Sequence, residues 1–336
     1  MRRLFVCLSV ILCPLAAYAQ SPELSLREFA SSQIKKGVRS IGLGGNGATW
    51  GNNALIYRDA GGALVDAGVT RYTNGNTFSF TALAFTSPHL WHDAAIYFIA
   101  LSQRASDIRL NLSSPGLGNA RPMRGDGSNQ GVFMKVALPL TEHFAAGILL
   151  SYEASQFFAT TPDFSSAIRY TTQWRPSGGL GATWQPVAWL LAGTRFIFNH
   201  DLEVRDDSES HSEGLARSYE ARLGVSVSPW TGMWLDAGGT LLDRNNSIEH
   251  RRITELRPNL GVEQAFWKRA FVVRAGLDET SYTAGVSVKV RPVNLDVAYV
   301  YNLGQARVGT LFGTTTHSVL TTLTLDYARL LGTSTS

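Results

Sequence analysis

The chain has 336 residues and a net charge of +4, with 17% charged residues, so neither its size nor its charge indicates nucleic-acid binding. Both cysteines, Cys7 and Cys13, lie near the N-terminus, which leaves the remainder without a thiol for disulfide, metal or nucleophile chemistry. Beyond residue 19 there is no run of apolar residues long enough for a spanning helix, so we expect no transmembrane helix.

The first residues predict export. Arg2 and Arg3 follow Met1, an apolar stretch extends over 4–15, and positions 17 and 19 are alanines. This pattern is typical of a secretory signal peptide, which we place at 1–19. An exported chain with many short alternating segments is either a soluble all-β protein or an outer-membrane β-barrel.

The next segment, 20–62, begins with a stretch that could be a short amphipathic helix or a frayed tail, and it continues with a glycine-rich motif. Gly42, Gly44 and Gly47 match the G-x-G-x-x-G pattern of dinucleotide sites, and Asp59 stands where a ribose-binding acid would be expected. Such a site needs a hydrophobic strand before the glycines and a helix after them. The flanking residues suit neither, so we reject a nucleotide site.

Over long spans of the second half of the chain, and also in 143–153, apolar and polar residues alternate with period 2. In 281–291 one face carries Tyr282, Val286 and Val288, while serine, threonine and basic residues occupy the other. The apolar faces are about 9–11 residues long, the length of a tilted strand that crosses a bilayer. The pattern predicts an all-β fold, a transmembrane antiparallel up-and-down β-barrel over 63–327 followed by a C-terminal tail over 328–336.

We count fourteen strands, with twelve or sixteen as alternatives. An even number places both termini on the periplasmic side. The strands are expected at 63–72, 77–87, 93–104, 131–139, 144–158, 165–184, 188–200, 215–228, 233–244, 253–266, 270–278, 281–291, 294–303 and 313–327. Segment 165–184 contains proline and glycines in its middle, so we expect one long bent strand there.

Two features favour a membrane barrel over a soluble sandwich. Six tryptophans lie in or beside the short turns and predict an aromatic girdle at one membrane interface. They are Trp91, Trp184, Trp189, Trp230, Trp234 and Trp267. At the other end the connections are expected to be long and polar, notably 105–130 and 200–214, which is the porin pattern of short periplasmic turns and long exterior loops.

The polar faces of the strands carry charges of both signs. They are Arg195, Glu220, Arg222, Asp236, Arg274, Asp278, Lys289, Asp296 and Asp326. We interpret them as a cross-strand salt-bridge network in a solvated lumen; the alternative is a polar permeation path. His317 and Ser318 are adjacent and point to opposite faces of a strand, so they cannot form a dyad. We expect no catalytic site, no metal and no cofactor.

The N-terminal motif resembles a known family. The stretch 37–45 (GVRSIGLGG), Ala48 and the stretch 54–62 (ALIYRDAGG) are similar to the N-terminal signature of FadL-type outer-membrane proteins. That superfamily includes fatty acid and hydrocarbon transporters and the PorV and PorQ components of type IX secretion. The family's Asn-Pro is replaced here by Asp59-Ala60, which indicates a divergent member.

The resemblance implies a plug inside a fourteen-stranded barrel. Its residues would include Gly42, Gly44, Gly45, Gly47, Asp59, Ala60 and Gly61. It also implies passive uptake of small hydrophobic molecules with the plug as gate; the alternative is a PorV- or PorQ-like, non-enzymatic secretion or surface-attachment component. The expected partners are outer-membrane lipids and lipopolysaccharide, the barrel-assembly machinery, and either hydrophobic small molecules or secretion partners. The expected location is the outer membrane of a Gram-negative (diderm) bacterium.

Overall fold

The structure is a computed structural model that describes residues 48–49, 54, 62–72, 77–87, 94–112, 121–161, 167–207, 211–246, 251–278, 281–290, 292–302 and 317–326. The expected signal peptide, N-terminal helix and C-terminal tail lie outside the described residues, as do the plug residues Gly42, Gly44, Gly45, Gly47, Asp59, Ala60 and Gly61, and also Trp91. Within the described part of the chain, no helix has the length and apolar character needed to span a membrane.

Fourteen antiparallel strands form one closed barrel, with each strand hydrogen-bonded to its sequence neighbours and β1 closing against β14. The strands are β1 (Gly62–Tyr72), β2 (Thr77–Ser87), β3 (Ala95–Leu112), β4 (Arg121–Pro139), β5 (Phe144–Thr160), β6 (Ala167–Val187), β7 (Leu190–Asp207), β8 (His211–Val227), β9 (Met233–Asn246), β10 (Arg251–Phe266), β11 (Phe271–Asp278), β12 (Ser281–Val290), β13 (Val293–Asn302) and β14 (His317–Asp326). The up-and-down order and the count of fourteen are confirmed, and the alternatives of twelve and sixteen strands are wrong.

Four strands extend well beyond their expected ends. β3 continues to Leu112 and β4 begins at Arg121, so most of the expected loop 105–130 is sheet. Likewise β7 and β8 occupy most of the expected loop 200–214. The expectation was wrong because it followed the polar composition of these segments, although Ile108, Leu110 and Leu112 alternate with polar residues along the extension of β3. The antiparallel hydrogen-bond ladder continues through them.

The sixth strand is one long strand, as expected, and its pairing is irregular near its middle; the expected bend stays a prediction. The pairing of β6 with β7 shifts register between Thr172 and Gly178. The pairing of β6 with β5 shifts between Glu153 and Ser155. Pro176 lies in this stretch and has no backbone N–H to donate to the ladder. Proline inside a sheet is therefore found where the pairing is irregular.

Burial is inverted relative to a soluble protein. Leu223 on the outer face of β8 is 65% exposed, while Glu263 on the inner face of β10 is 0% exposed. β12 shows the alternation residue by residue, since Ser281, Thr283 and Ser287 are buried between exposed apolar neighbours. Charged residues are almost never fully buried unless paired, and large apolar residues prefer water-free surroundings. An apolar outer wall around a polar interior is the arrangement of a barrel in a lipid bilayer.

Candidate functional site

A short piece of the N-terminal segment lies against the inner wall of the barrel. Ala48 is 1% exposed and Thr49 is 2% exposed. The Thr49 hydroxyl donates a hydrogen bond of 2.7 Å to Asp236 Oδ1 on β9. The Ser226 hydroxyl on β8 donates to the same carboxylate oxygen at 2.5 Å, and its oxygen lies 3.0 Å from the Thr49 hydroxyl oxygen. A buried carboxylate thus joins the segment to two neighbouring strands.

Two glycines make room for this segment, and we call them the glycine seat (Gly193 on β7 and Gly224 on β8). They are direct cross-strand partners. A β-carbon at Gly193 would lie 2.1 Å from the Ala48 carbonyl oxygen, which is far inside van der Waals contact. A β-carbon at Gly224 would lie 3.2 Å from both the Ala48 β-carbon and Thr49 Cγ2. The seat therefore allows the backbone at residues 48–49 to approach the wall closely.

Sequence reasoning did not find the seat. Gly193 and Gly224 were visible as glycines on polar strand faces, but their pairing depends on the β7–β8 register. The glycines themselves were the sequence signal for the seat, because a glycine inside a strand marks either a bulge or a close approach of another backbone. The register decides between these two meanings, and here it places the glycines opposite each other.

A second set of polar contacts fills the inner wall of β10 to β13 near the short connections. Arg274 donates from Nε to Glu263 Oε2 at 2.8 Å and from Nη1 to Ser287 Oγ at 2.5 Å. Arg274 Nη1 also lies 3.6 Å from Asp296 Oδ1, and Asp296 accepts hydrogen bonds from Ser287 and Asn294. Arg269, in the turn between β10 and β11, donates to the other Glu263 oxygen at 2.8 Å.

We call this set the buried charge network (Glu263, Arg269, Arg274, Ser287, Asp296 and Asn294). Glu263 is 0% exposed and Arg274 is 5% exposed. Removing one partner of a buried ion pair leaves an uncompensated charge and costs about 3–5 kcal/mol. Two members, Arg274 and Asp296, were expected from the sequence. Glu263 was missed, although it lies on the same strand face as the buried Asn259.

A third group lies on β7 and β8. Arg222 is 8% exposed and donates from Nε to Glu220 Oε2 at 3.1 Å. The register places Arg195 directly across from Arg222, so both cations lie on the same stretch of the lumen wall as Glu220. Lys135 on β4 adds a positive charge elsewhere on the inner face, with Nζ 5.4 Å from the Tyr97 ring centroid.

The remaining predicted lumen charges lie apart from these groups. Asp278 ends β11 and accepts hydrogen bonds of 2.7 Å from both the backbone N–H and the hydroxyl of Ser281, so it stabilises the turn into β12. Lys289 is exposed near the end of β12. The side chain of Asp326 lies outside the described residues.

The predicted girdle tryptophans divide into two groups. Trp184, Trp230 and Trp267 are 50%, 56% and 78% exposed, and Trp189 lies in the turn between β6 and β7. Trp234 differs, because it pairs with the inward Glu263 in the β9–β10 register and shares the strand face of Asp236. Its placement in the girdle was wrong. Closeness to a turn in sequence does not fix the face of a strand, whereas register does.

No family model matches this sequence, and no curated protein matches it. Solved structures do match. The Pseudomonas putida toluene transporter TodX has a TM-score of 0.56 at 10% identity, covering 86% of this chain and 96% of that chain. A Pseudomonas aeruginosa FadL homologue has a TM-score of 0.51 at 13% identity, with 85% and 96% covered. A TodX deltaS2S3 mutant monoaromatic hydrocarbon channel has a TM-score of 0.53 at 9% identity, with 86% and 98% covered. The chain therefore has the fold of the FadL-type outer-membrane channels.

Proposed function

We propose that the protein is an outer-membrane channel that takes up small hydrophobic molecules passively, with its N-terminal segment as the gate. The observation that carries this proposal is the hydrogen bond from Thr49 to Asp236 on the inner wall of a barrel whose outer wall is apolar. A segment fixed inside the barrel restricts passage through it, and a segment that can leave its seat opens a path.

The strength of the seat suits a gate. Among the contacts of residues 48–49 with the described wall are the charge-assisted hydrogen bond from Thr49 to Asp236, the contact of Thr49 with Ser226, and close packing on the glycine seat. A hydrogen bond to a charged group contributes about 1.5–3 kcal/mol. A difference of a few kcal/mol leaves an alternative state populated at about 0.1–10%, so a ligand that binds the open state better can shift the equilibrium.

The proposed substrate class follows from the fold and from its known members. Two of the matched structures are a toluene transporter and a monoaromatic hydrocarbon channel. We therefore propose small apolar molecules as substrates and a non-enzymatic role. We also propose that the end with the short connections faces the periplasm, together with both chain termini, in the outer membrane of a Gram-negative bacterium.

The uptake proposal is tested by comparing a deletion strain with its complemented parent for uptake of radiolabelled toluene at low external concentration. We expect slower initial uptake in the deletion strain, and recovery on complementation. Toluene also crosses lipid, so only the difference in initial uptake between the strains reports the channel. The matched control is complementation with the Gly239→Ala variant, which should restore uptake fully. Unchanged uptake in the deletion strain contradicts the proposal.

A second function is favoured by one observation, the charge on the lumen wall. Glu263, Arg274 and Asp296 form a tight set, and Arg222 with Glu220 adds another pair. Buried charges line a poor path for apolar substrates. They suit an occluded barrel of the PorV or PorQ kind, which serves secretion or surface attachment. Loss of secreted surface proteins from the same deletion strain, with toluene uptake unchanged, would identify this second function.

A further inference from the structure

The outer wall of β3 to β6 changes from apolar to polar at a defined height. One cross-strand row consists of Ala100, Val132 and Tyr152, of which Val132 and Tyr152 are exposed apolar side chains. A second cross-strand row lies four residues along each strand from the first, toward the long connections. It consists of Arg104, Ser128, Gln156 and Thr171. Because side chains alternate across a strand, both rows lie on the same outer face. The second row therefore lies just beyond the apolar band.

A hollow of about 540 Å³ opens on this polar part of the outer wall. Arg104 and Arg169 line it, and both side chains are exposed. The Arg169 guanidinium lies 6.0 Å from the centroid of the Phe158 ring, which holds the cation over an aromatic face. Among the described lining residues, Arg104 and Arg169 are the cations and Asp126 is the one acidic residue, so these residues carry a net positive charge. Neither arginine forms an ion pair with another described residue.

We propose that this hollow binds the phosphorylated sugar headgroup of a lipid A-type glycolipid, whose acyl chains lie on the apolar band beside it. Guanidinium groups recognise phosphate through paired, charge-assisted hydrogen bonds. Ser106, Ser128, Gln156 and Thr171 supply hydroxyl and amide groups for sugar hydroxyls.

The size of the hollow favours a sugar phosphate over a smaller ligand. Its volume of about 540 Å³ lies in the range of about 300–1,000 Å³ that is typical of small-molecule pockets, whereas a free phosphate ion would leave most of it empty. Its position on the outer wall, next to exposed apolar side chains, favours a ligand with acyl chains over a soluble sugar phosphate. The site rests on the proposed outer-membrane location, with the long connections on the outer side, and does not depend on the proposed uptake activity.

The test is native mass spectrometry of the purified, folded protein in detergent with added lipid A, dephosphorylated lipid A or phosphatidylglycerol. Lipid A should bind the wild type, and the other two lipids should bind at least about tenfold more weakly, because each lacks the phosphate or the sugar. The double substitution R104Q/R169Q should weaken lipid A binding by about a hundredfold, on the basis of about tenfold for each lost charged hydrogen-bonding group.

The matched control is R217Q, which removes an exposed arginine from β8 and should leave binding unchanged. Ser128→Phe fills the hollow without removing a charge and should also abolish binding, and heat-modifiable migration reports that each variant is folded. Unchanged lipid A binding by R104Q/R169Q or by Ser128→Phe overturns the proposal. Equal binding of phosphatidylglycerol, or displacement of lipid A by inorganic phosphate, overturns the assignment to a sugar phosphate lipid.

Discussion

The carbonyl oxygen of Ala48 lies where a β-carbon at position 193 would need to be, at a separation of only 2.1 Å. Glycine at 193 is therefore a condition for residues 48–49 to rest against β7. The atom in the way belongs to the backbone, so no side-chain rotation can remove the clash. Any larger residue at 193 must displace the segment or the strand.

Gly193→Ala is expected to unseat residues 48–49. The measurement is the labelling rate of a Thr49→Cys reporter by a water-soluble maleimide. Thr49 is 2% exposed. The parent that carries Thr49→Cys alone loses the Thr49 hydroxyl but keeps the packing on the glycine seat, and labelling should be at least about tenfold faster when Gly193→Ala is added, since an unseating cost of about 1.4 kcal/mol shifts the equilibrium tenfold.

The matched control for that substitution is Gly239→Ala on β9. A β-carbon there would meet only Arg257 O and Leu256 Cδ1, both at the ordinary contact distance of 3.7 Å. Labelling should equal that of the parent. Equal labelling of the Gly193→Ala and Gly239→Ala backgrounds contradicts the seating of the segment.

Glu263→Gln is expected to destabilise the barrel, because Glu263 accepts hydrogen bonds from both Arg274 and Arg269 in a buried site. The free energy of unfolding should fall by about 3 kcal/mol, measured by guanidinium titration in lipid vesicles with tryptophan fluorescence. Glu142→Gln is the control, since the Glu142 side chain is 85% exposed and exposed ion pairs contribute little. A loss no larger than that of Glu142→Gln contradicts the structural role of the buried charge network.

Arginine substitutions on the outer wall test its contact with lipid. Leu223 and Val290 are similarly exposed, at 65% and 69%, but Leu223 lies within the apolar stretch of β8 and Val290 ends β12. Leu223→Arg should cost about 2–4 kcal/mol of unfolding free energy in vesicles and Val290→Arg about 0–1 kcal/mol, because the penalty depends on depth in the bilayer. Equal, small losses of unfolding free energy at both positions would show that this wall faces water, and they would contradict its contact with lipid.

The barrel itself was predictable from period-2 alternation, and the burial along β12 repeats the predicted faces over 281–288 residue by residue. In the extension of β3 the polar composition hid the alternation of Ile108, Leu110 and Leu112. In the extension of β4 to Arg121 the apolar signal itself is nearly absent. Hydrophobic periodicity reports burial, and it is silent where both faces of a strand are hydrated.

The candidate site was less predictable, because it depends on contacts between strands. Arg274 and Asp296 were identified from their strand faces, but the partnership with Glu263 required the β10–β11 register. Trp234 was misplaced for the same reason. The seat at Gly193 joins residues far apart in sequence, and a glycine spacing pattern does not report such contacts.

The central claim is that residues 48–49 occupy the inner wall and gate passage. The Thr49 and Ser226 hydroxyl oxygens are 3.0 Å apart, close enough for a disulfide in the double substitution T49C/S226C. No cysteine follows Cys13 in the sequence, so no other thiol in that part of the chain can compete. The decisive measurement is toluene influx into vesicles that contain this variant, with each single cysteine variant as control. Oxidation should reduce influx to that of empty vesicles, and reduction should restore it, while the single variants show no change. Equal influx through the oxidised, cross-linked protein and the reduced protein would contradict the account.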